Sequence, residues 1–330
     1  MEKSEIRKMN RWISTVLLAG LAFFFVSMSF SSALGQQKKR ISIGGASAGG
    51  VFYPLSVGMA EVINRHLPEY NVVALETGGT LENIRLLAKG EVEIAAANAR
   101  DATLGYKGEK PFTTPLKNIR VGIYLGNFIL HVVTLEKSKI RTVEDLKGKV
   151  VNVGAPGSIV ASTTEALLRL HNLSLKDLKV RHLGISEAME ALGDGLIDAG
   201  VLYSTIPAPA VNALAVTKKI RLVTGNQKIL EAAASKENIL PLFVAPESYK
   251  GQSDGAWVWA VVSGTYYNET TSVDDVYKWT KAIAEHKDEI QKVHPQGKEI
   301  RLVTKGELEI SPVPLHPGVI KYAKEKGVNY

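Results

Sequence analysis

The sequence predicts an α/β protein of two similar lobes, on three observations. A strand, a glycine-rich loop and a helix follow one another twice, as ISIGGASAGGVFYPL (Ile41–Leu55) and VVNVGAPGSIVASTTEALL (Val150–Leu168). Each copy leads on to a helical stretch that ends at a glycine and drops into a short apolar strand: NIRLLAKGEVEIAAA (Asn83–Ala97) and SEAMEALGDGLIDAGVL (Ser186–Leu202). The chain, at 330 residues, is longer than one typical core needs.

The elements follow in order. Short apolar runs separated by helical periods are the alternation of parallel α/β domains. They predict strands at 41–45, 72–76, 93–97, 119–125, 129–135, 149–153, 180–183, 198–202 and 220–223. Helices are predicted at 51–66, 81–89, 158–171, 187–192, 208–216 and 273–286. In the first helix Leu55, Met59, Val62 and Ile63 recur at helical spacing, so that face should pack on a sheet. The end of the chain, from about Trp257, carries a strand-like run, AWVWAVVSG, and two helical stretches but no third glycine loop. It is expected to cross back and complete the first lobe. The expected division is therefore a signal peptide at 1–35, one lobe from 36–126 plus 255–330, and a second from 127–254. Gly126–Asn127 and Lys250–Gly255 would be the hinge, where glycine absorbs the dihedral change of closure.

The N-terminus sets the compartment. Lys3, Arg7, Lys8 and Arg11 precede a charge-free segment from Trp12 to Gln37, and Ala33-Leu34-Gly35 places small residues at the −3 and −1 positions of a cleavage site. The expected product is a periplasmic chain starting near Gln36; uncleaved, the apolar run would be a tether. With no cysteine, the chain has no disulfide, thiolate metal site, cysteine nucleophile or lipoprotein anchor. The formal charge is +7, and loss of four cations and two anions with residues 1–35 leaves +5. That excess suits an anionic ligand. Scattered cations without an aromatic-interleaved stripe exclude a nucleic-acid binder.

The chemistry-bearing positions cluster where strands run into helices. Ser47, Gly49 and Gly50 lie in the first glycine loop, followed by Val51, Phe52 and Tyr53 at the head of its helix. A glycine loop lets backbone approach a ligand, and the first amides of a helix bring positive partial charge to it. The spacing fits neither a dinucleotide fingerprint nor a phosphate loop. Gly157 and Ser158 repeat the context in the second copy. Thr77, Gly79 and Thr80 form a third strand-to-helix junction, where Thr80 is equally a plain N-cap. Asn98 and Arg100 follow the strand 93–97 at the carboxyl edge, where open α/β sheets place ligands. Arg100 either clamps a carboxylate or pairs with Asp101 or solvent. Tyr203 closes over a ligand or packs, and Phe52 and Tyr53 divide between ligand wall and core cap. The seven histidines show no H-E-x-x-H or close metal spacing, and no G-x-S-x-G elbow occurs, so neither catalytic residues nor a metal or other cofactor are expected. The reading is a non-enzymatic trap for a small anion.

At these residues the chain resembles the TAXI family of TRAP-transporter solute receptors. The matched stretches are GGASAGGVFYPL, ETGGTLENIRLLAKGEVEIA, VEDLKGKVVNVGAPGS, EALGDGLIDAG and PLHPGVIKYAKEKG, from residue 41 to 327. The resemblance implies a two-lobed periplasmic-binding-protein fold of type II, a Venus-flytrap with a hinge between lobes. It also implies delivery of a small carboxylate (glutamate, glutamine, a 2-oxo acid or a dicarboxylate) to TRAP membrane subunits driven by an ion gradient. The chain itself is expected to be a monomer. The family's ligand-facing segments map onto Ser47–Tyr53, Thr77–Thr80, Asn98–Arg100 and Gly157–Ser158. Ile159-Val160 follow Ser158 where the family continues Gly-Ser-Gly-Thr, and a cation at position 100 would select a diacid. The alternatives are an ABC-type receptor for a sulfonate or thiamine-precursor-like ligand, or a ligand-sensing signalling protein.

Overall fold

β3 (Ile94–Asn98) shows how the chain is organised. Ile94 and Ala96 face one buried apolar cluster and Ala95 and Ala97 another, so the strand is covered on both faces. This is why it reads as an unbroken apolar run. The computed structural model describes residues 37–46, 51–156 and 158–330. Along the chain the elements run β1 (Lys39–Gly44), α1 (Phe52–His66), β2 (Tyr70–Leu75), α2 (Thr80–Lys89), β3, α3 (Ala99–Lys107) and β4 (Ile119–Leu135). Then come β5 (Val150–Asn152), α4 (Ile159–Leu170), β6 (Lys179–Arg181), α5 (Ile185–Gly193), β7 (Ala199–Ser204), α6 (Pro209–Thr217) and β8 (Ile220–Leu222). The remainder is α7 (Gln227–Glu237), β9 (Leu240–Val244), β10 (Ala256–Asn268), α8 (Val273–Glu285), α9 (Lys287–Val293), α10 (Lys305–Glu309) and α11 (Pro317–Glu325).

The strands form a sheet of order β2-β1-β3-β10-β4-β7-β5-β6, with β8 beside β4 and β9 beside β10. It is mixed, not parallel as the alternation suggests. β1 pairs parallel with β3, and β5 pairs parallel with β6 and β7. β4 and β10 run antiparallel to each other and to their other partners.

Two expected short strands, 119–125 and 129–135, are one continuous strand. Gly126, at φ +127°, does not end β4, because β10 pairs with the strand on both sides of it, from Asn268↔Ile119 to Trp259↔Leu130. A side chain at Gly126 would collide with Gln296, which closes over the strand there. The ladder shifts register around Ser263 and Gly264, opposite this glycine. Residues 250–255, expected as the second crossing, precede β10. The strand itself runs from β9 at its start (Ala256↔Val244) to β3 at its end (Tyr267↔Ile94).

α1 buries Leu55, Met59, Val62 and Ile63 as their spacing requires, against Ile41 and Ile43 of β1. α2 and α3 both stop at a left-handed glycine, Gly90 and Gly108. The expected signal segment, 1–35, lies outside the described residues. Among the described residues no helix is long and apolar enough to cross a membrane.

Candidate functional site

The carboxyl ends of β1, β2, β3 and β7 open on one cavity of about 230 Å3. Its wall takes Ala46, Val51 and Phe52 from the first loop and Thr77–Thr80 from the second. Asn98 adds the end of β3, Ile159 and Val160 the head of α4, Ile185 the head of α5, and Tyr203 the end of β7. Phe128, Val261 and Ser263 come from the middle of β4 and β10. The N-termini of α1, α2, α4 and α5 therefore meet at one place. Each brings unpaired amides and roughly half a positive charge. α1 and α2 start at Val51 and Gly79 without a side-chain cap, whereas α4 is capped by Ser158, whose Oγ accepts from the Ala161 amide at 3.2 Å.

None of the described residues lining the cavity is charged. Much of the wall is apolar: Phe52 lies 4.8 Å from Phe128 between ring centroids, and Val51 and Phe52 pack against the cores on both sides. The polar groups are few. Ser263 is fully buried and its hydroxyl has no hydrogen-bond partner among the described residues. Tyr203 has its hydroxyl beside Thr163 and Trp259 without a well-formed hydrogen bond to either. Burial pushes this phenol far above its usual range, with Arg100 opposing, so it stays a donor. Thr80 Oγ1 accepts from Asn98 Nδ2 at 3.2 Å and retains its own proton to donate.

Of the expected site residues, Val51, Phe52, Thr77, Gly79, Thr80, Asn98 and Tyr203 line this cavity together. Ser47, Gly49, Gly50 and Gly157 lie outside the described residues. Several of the gathered groups have local work. Gly79 N–H donates to Thr77 Oγ1 at 3.1 Å, and Thr77 Oγ1 donates to Asn83 Oδ1 at 2.7 Å. Gly78 N–H donates to Glu82 at 2.6 Å. Asn98 caps α3, its Oδ1 accepting from the Asp101 amide at 2.9 Å.

Arg100 is not in the wall. Its guanidinium reaches Asp101 Oδ1 at 3.4 Å and Glu237 Oε2 at 3.8 Å, and lies 5.8 Å from the Trp259 ring centre. Glu237, at the end of α7, also accepts from Arg169 at 2.8 Å. The cation thus joins α3 to α7 and is neutralised there. Burial raises the Asp101 carboxyl, while Arg100 and Asn98 pull it back down. Tyr53 and Ser158 stand beside the wall residues in sequence without lining the cavity. Sequence reasoning missed Phe128, Val261, Ser263 and Ile185. The first three lie in mid-strand with no local signal; Ile185 sits at an α5 head that was expected two residues later.

A model of the NMT1-like family matches residues 43–327. Among solved structures, a Xanthomonas citri protein bound to ATP is 11% identical, with a TM-score of 0.50 over 87% of this chain and 99% of that one. A Streptococcus mutans structure, reported for glutathione import through GshT and a cystine ABC importer, is 11% identical, with a TM-score of 0.50 over 82% and 100%. The periplasmic aliphatic sulphonate binding protein SsuA of Escherichia coli is 15% identical, with a TM-score of 0.48 over 88% and 80%. At these identities the likeness is one of fold. This is the periplasmic-binding-protein fold, α/β about a central sheet.

Proposed function

The chain belongs to the NMT1-like family, and from that premise we propose that it is an extracytoplasmic solute-binding protein whose ligand is a small monoanion with an apolar body, a monocarboxylate or a sulfonate. The observation that carries this reading is the convergence of four helix N-termini on a cavity with no charged side chain among its described residues. Helix ends and hydroxyls favour one anionic head. Phe52, Phe128, Ile159, Val160, Ile185 and Val261 favour an apolar remainder. A second charge on the ligand, whether the ammonium of glutamate or the far carboxylate of a diacid, would be buried against these side chains without a charged partner among the described lining residues. Arg100, the cation expected to select a diacid, is held by Asp101 and Glu237. The volume, below the usual range of about 300–1,000 Å3 for ligand pockets, suits a compact solute.

In this reading the two lobes are 36–126 plus 255–330 and 127–254, and the ligand sits where they meet. Each helix end contributes about 0.3–1 kcal/mol, up to about 2 when partly buried. With burial of the apolar body at about 25 cal/mol per Å2, micromolar affinity, about 8 kcal/mol, is within reach. For delivery, the importer named with the Streptococcus mutans neighbour favours an ABC-type permease over the TRAP subunits implied by the resemblance.

The test is a thermal-shift and calorimetric panel of hexanoate, hexanesulfonate, glutamate, glutamine, succinate and 2-oxoglutarate. A ligand that binds only the folded chain raises its melting temperature. Shifts with the apolar monoanions that Ser263→Val diminishes support the reading. Shifts with glutamate or a diacid alone would overturn the ligand class, and none with any anion would overturn the anion trap.

A further inference from the structure

A second cluster lies at the opposite end of α1 from the cavity. Phe52, the first residue of the helix, lines the cavity; His66, its last, lies about 20 Å away at 1.5 Å per residue. There His66 Nε2 sits 2.8 Å from Glu289 Oε1, and His286 Nδ1 lies 3.6 Å from the same oxygen. All three ligand-type atoms fall within 4.8 Å of one another. The two imidazoles stack, with centroids 3.5 Å apart and planes inclined by 7°. Arg65 binds the other carboxylate oxygen, Oε2, which fixes the carboxylate and leaves Oε1 toward the histidines.

The scaffold is rigid on both sides. His286 and Glu289 are one turn apart across the α8–α9 junction, where the Glu289 amide donates to the His286 carbonyl at 3.0 Å. α1 packs closely on α9 at Gly58, where an added Cβ would meet Ile290 at 2.9 Å. Tetrahedral Zn2+ with bonds of about 2.0–2.1 Å sets neighbouring ligand atoms about 3.4 Å apart. The two N···O separations, 2.8 and 3.6 Å, bracket that spacing, and a small splaying of the stacked imidazoles would turn both in-plane lone pairs onto one ion. Imidazole and carboxylate together suit late first-row divalent ions, and three protein ligands leave a coordination position for water.

We propose that His66, His286 and Glu289 form a surface site for a divalent transition-metal cation of the Zn2+ class, clamping the end of α1 to the α8–α9 junction. All three side chains are partly exposed, between 26% and 36%, so the ion can enter from solvent. The site is independent of the solute cavity, and its failure would leave the proposed function untouched.

The experiment is titration of untagged, EDTA-stripped protein with Zn2+ by calorimetry, and with Co2+ followed by visible absorption. The expected result is one saturable Zn2+ per chain, with the intense Co2+ bands of a four-coordinate site. His66→Gln and His286→Gln should each weaken binding at least tenfold, with metal-free melting temperatures confirming that both fold. No saturable binding, or binding that both variants leave unchanged, overturns the proposal. Loss on His66→Gln alone overturns the three-ligand assignment.

Discussion

His131 in β4 should make this protein less stable in acid, by an amount the structure sets. The side chain is fully buried and bonded on both nitrogens. Nδ1 is 3.0 Å from the Ile129 carbonyl, which can only accept, so Nδ1 carries the proton. Nε2 then accepts from the Tyr249 hydroxyl at 2.7 Å, and Tyr249 accepts from the Ala208 amide at 2.9 Å. Burial holds Tyr249 up at about 12, so the phenol keeps its proton. A proton added to Nε2 would face that hydroxyl donor and an apolar surround. Burial accordingly lowers His131 from 6.5 to about 4, with the Ile129 bond opposing. Between those values the unfolded chain binds the extra proton and the folded one does not, so stability rises with pH. The drop from 6.5 to about 4 corresponds to about 3 kcal/mol, complete above pH 6.5 and lost progressively as pH falls to about 4. The assay is urea unfolding of wild type and His131→Gln at several values from pH 7 to pH 4. At pH 7 the variant should be weaker by about 1–3 kcal/mol, the cost of a damaged buried hydrogen-bond chain. That gap should shrink or reverse toward pH 4, by a change of about 3 kcal/mol. Other acid-sensitive groups, including His294 and His316, which burial also lowers, are common to both proteins and cancel. A gap constant across the range would refute the reasoning.

Three further outcomes are expected. Gly79 stands at φ +94° and ψ −155°, a region open essentially to glycine, and no atom of the described residues lies within 4 Å of where a Cβ would go; Gly79→Ala should cost about 1–3 kcal/mol by backbone strain and lower ligand affinity, read by thermal melting and calorimetry. Glu237→Gln removes the anion that Arg100 and Arg169 share and loosens the link between α3 and α7, so solute affinity should fall about tenfold by calorimetry; an unchanged affinity would show the pair to be local. Phe52→Ala opens the wall next to Phe128 and should weaken hexanoate more than a short anion such as acetate, because the missing contact is with the apolar body.

Much of this fold was legible in local pattern. The helical spacing of Leu55, Met59, Val62 and Ile63 placed α1 within a residue, and the all-apolar 94–97 run gave β3 its burial on both faces. The strand-to-helix junctions at Val51–Phe52 and Thr77–Thr80 were readable because a chain leaving a strand for a helix shows its glycines and caps within a few residues. Other elements are not legible in this way. α3 and α7, with β9, fall outside the helices and strands that local pattern predicts, and β4 reads as two strands because a glycine at its centre imitates a turn. Gly126 stays in the strand since β10 supplies a partner along both sides of it, a contact about 140 residues away that no window contains.

Local pattern is enough to set the alternation of strands and helices, and with it the strand ends where helix N-termini can gather. Periodicity and glycine placement act over one turn or one strand, so they are written in consecutive residues. Which side chains meet is settled by the packed fold. It turned Arg100 from the cavity to Asp101 and Glu237, put Phe128, Val261 and Ser263 into its wall, and set His66 beside His286 and Glu289. Those outcomes depend on packing between segments far apart in the chain, where burial and charge pairing choose partners that neighbouring residues do not reveal.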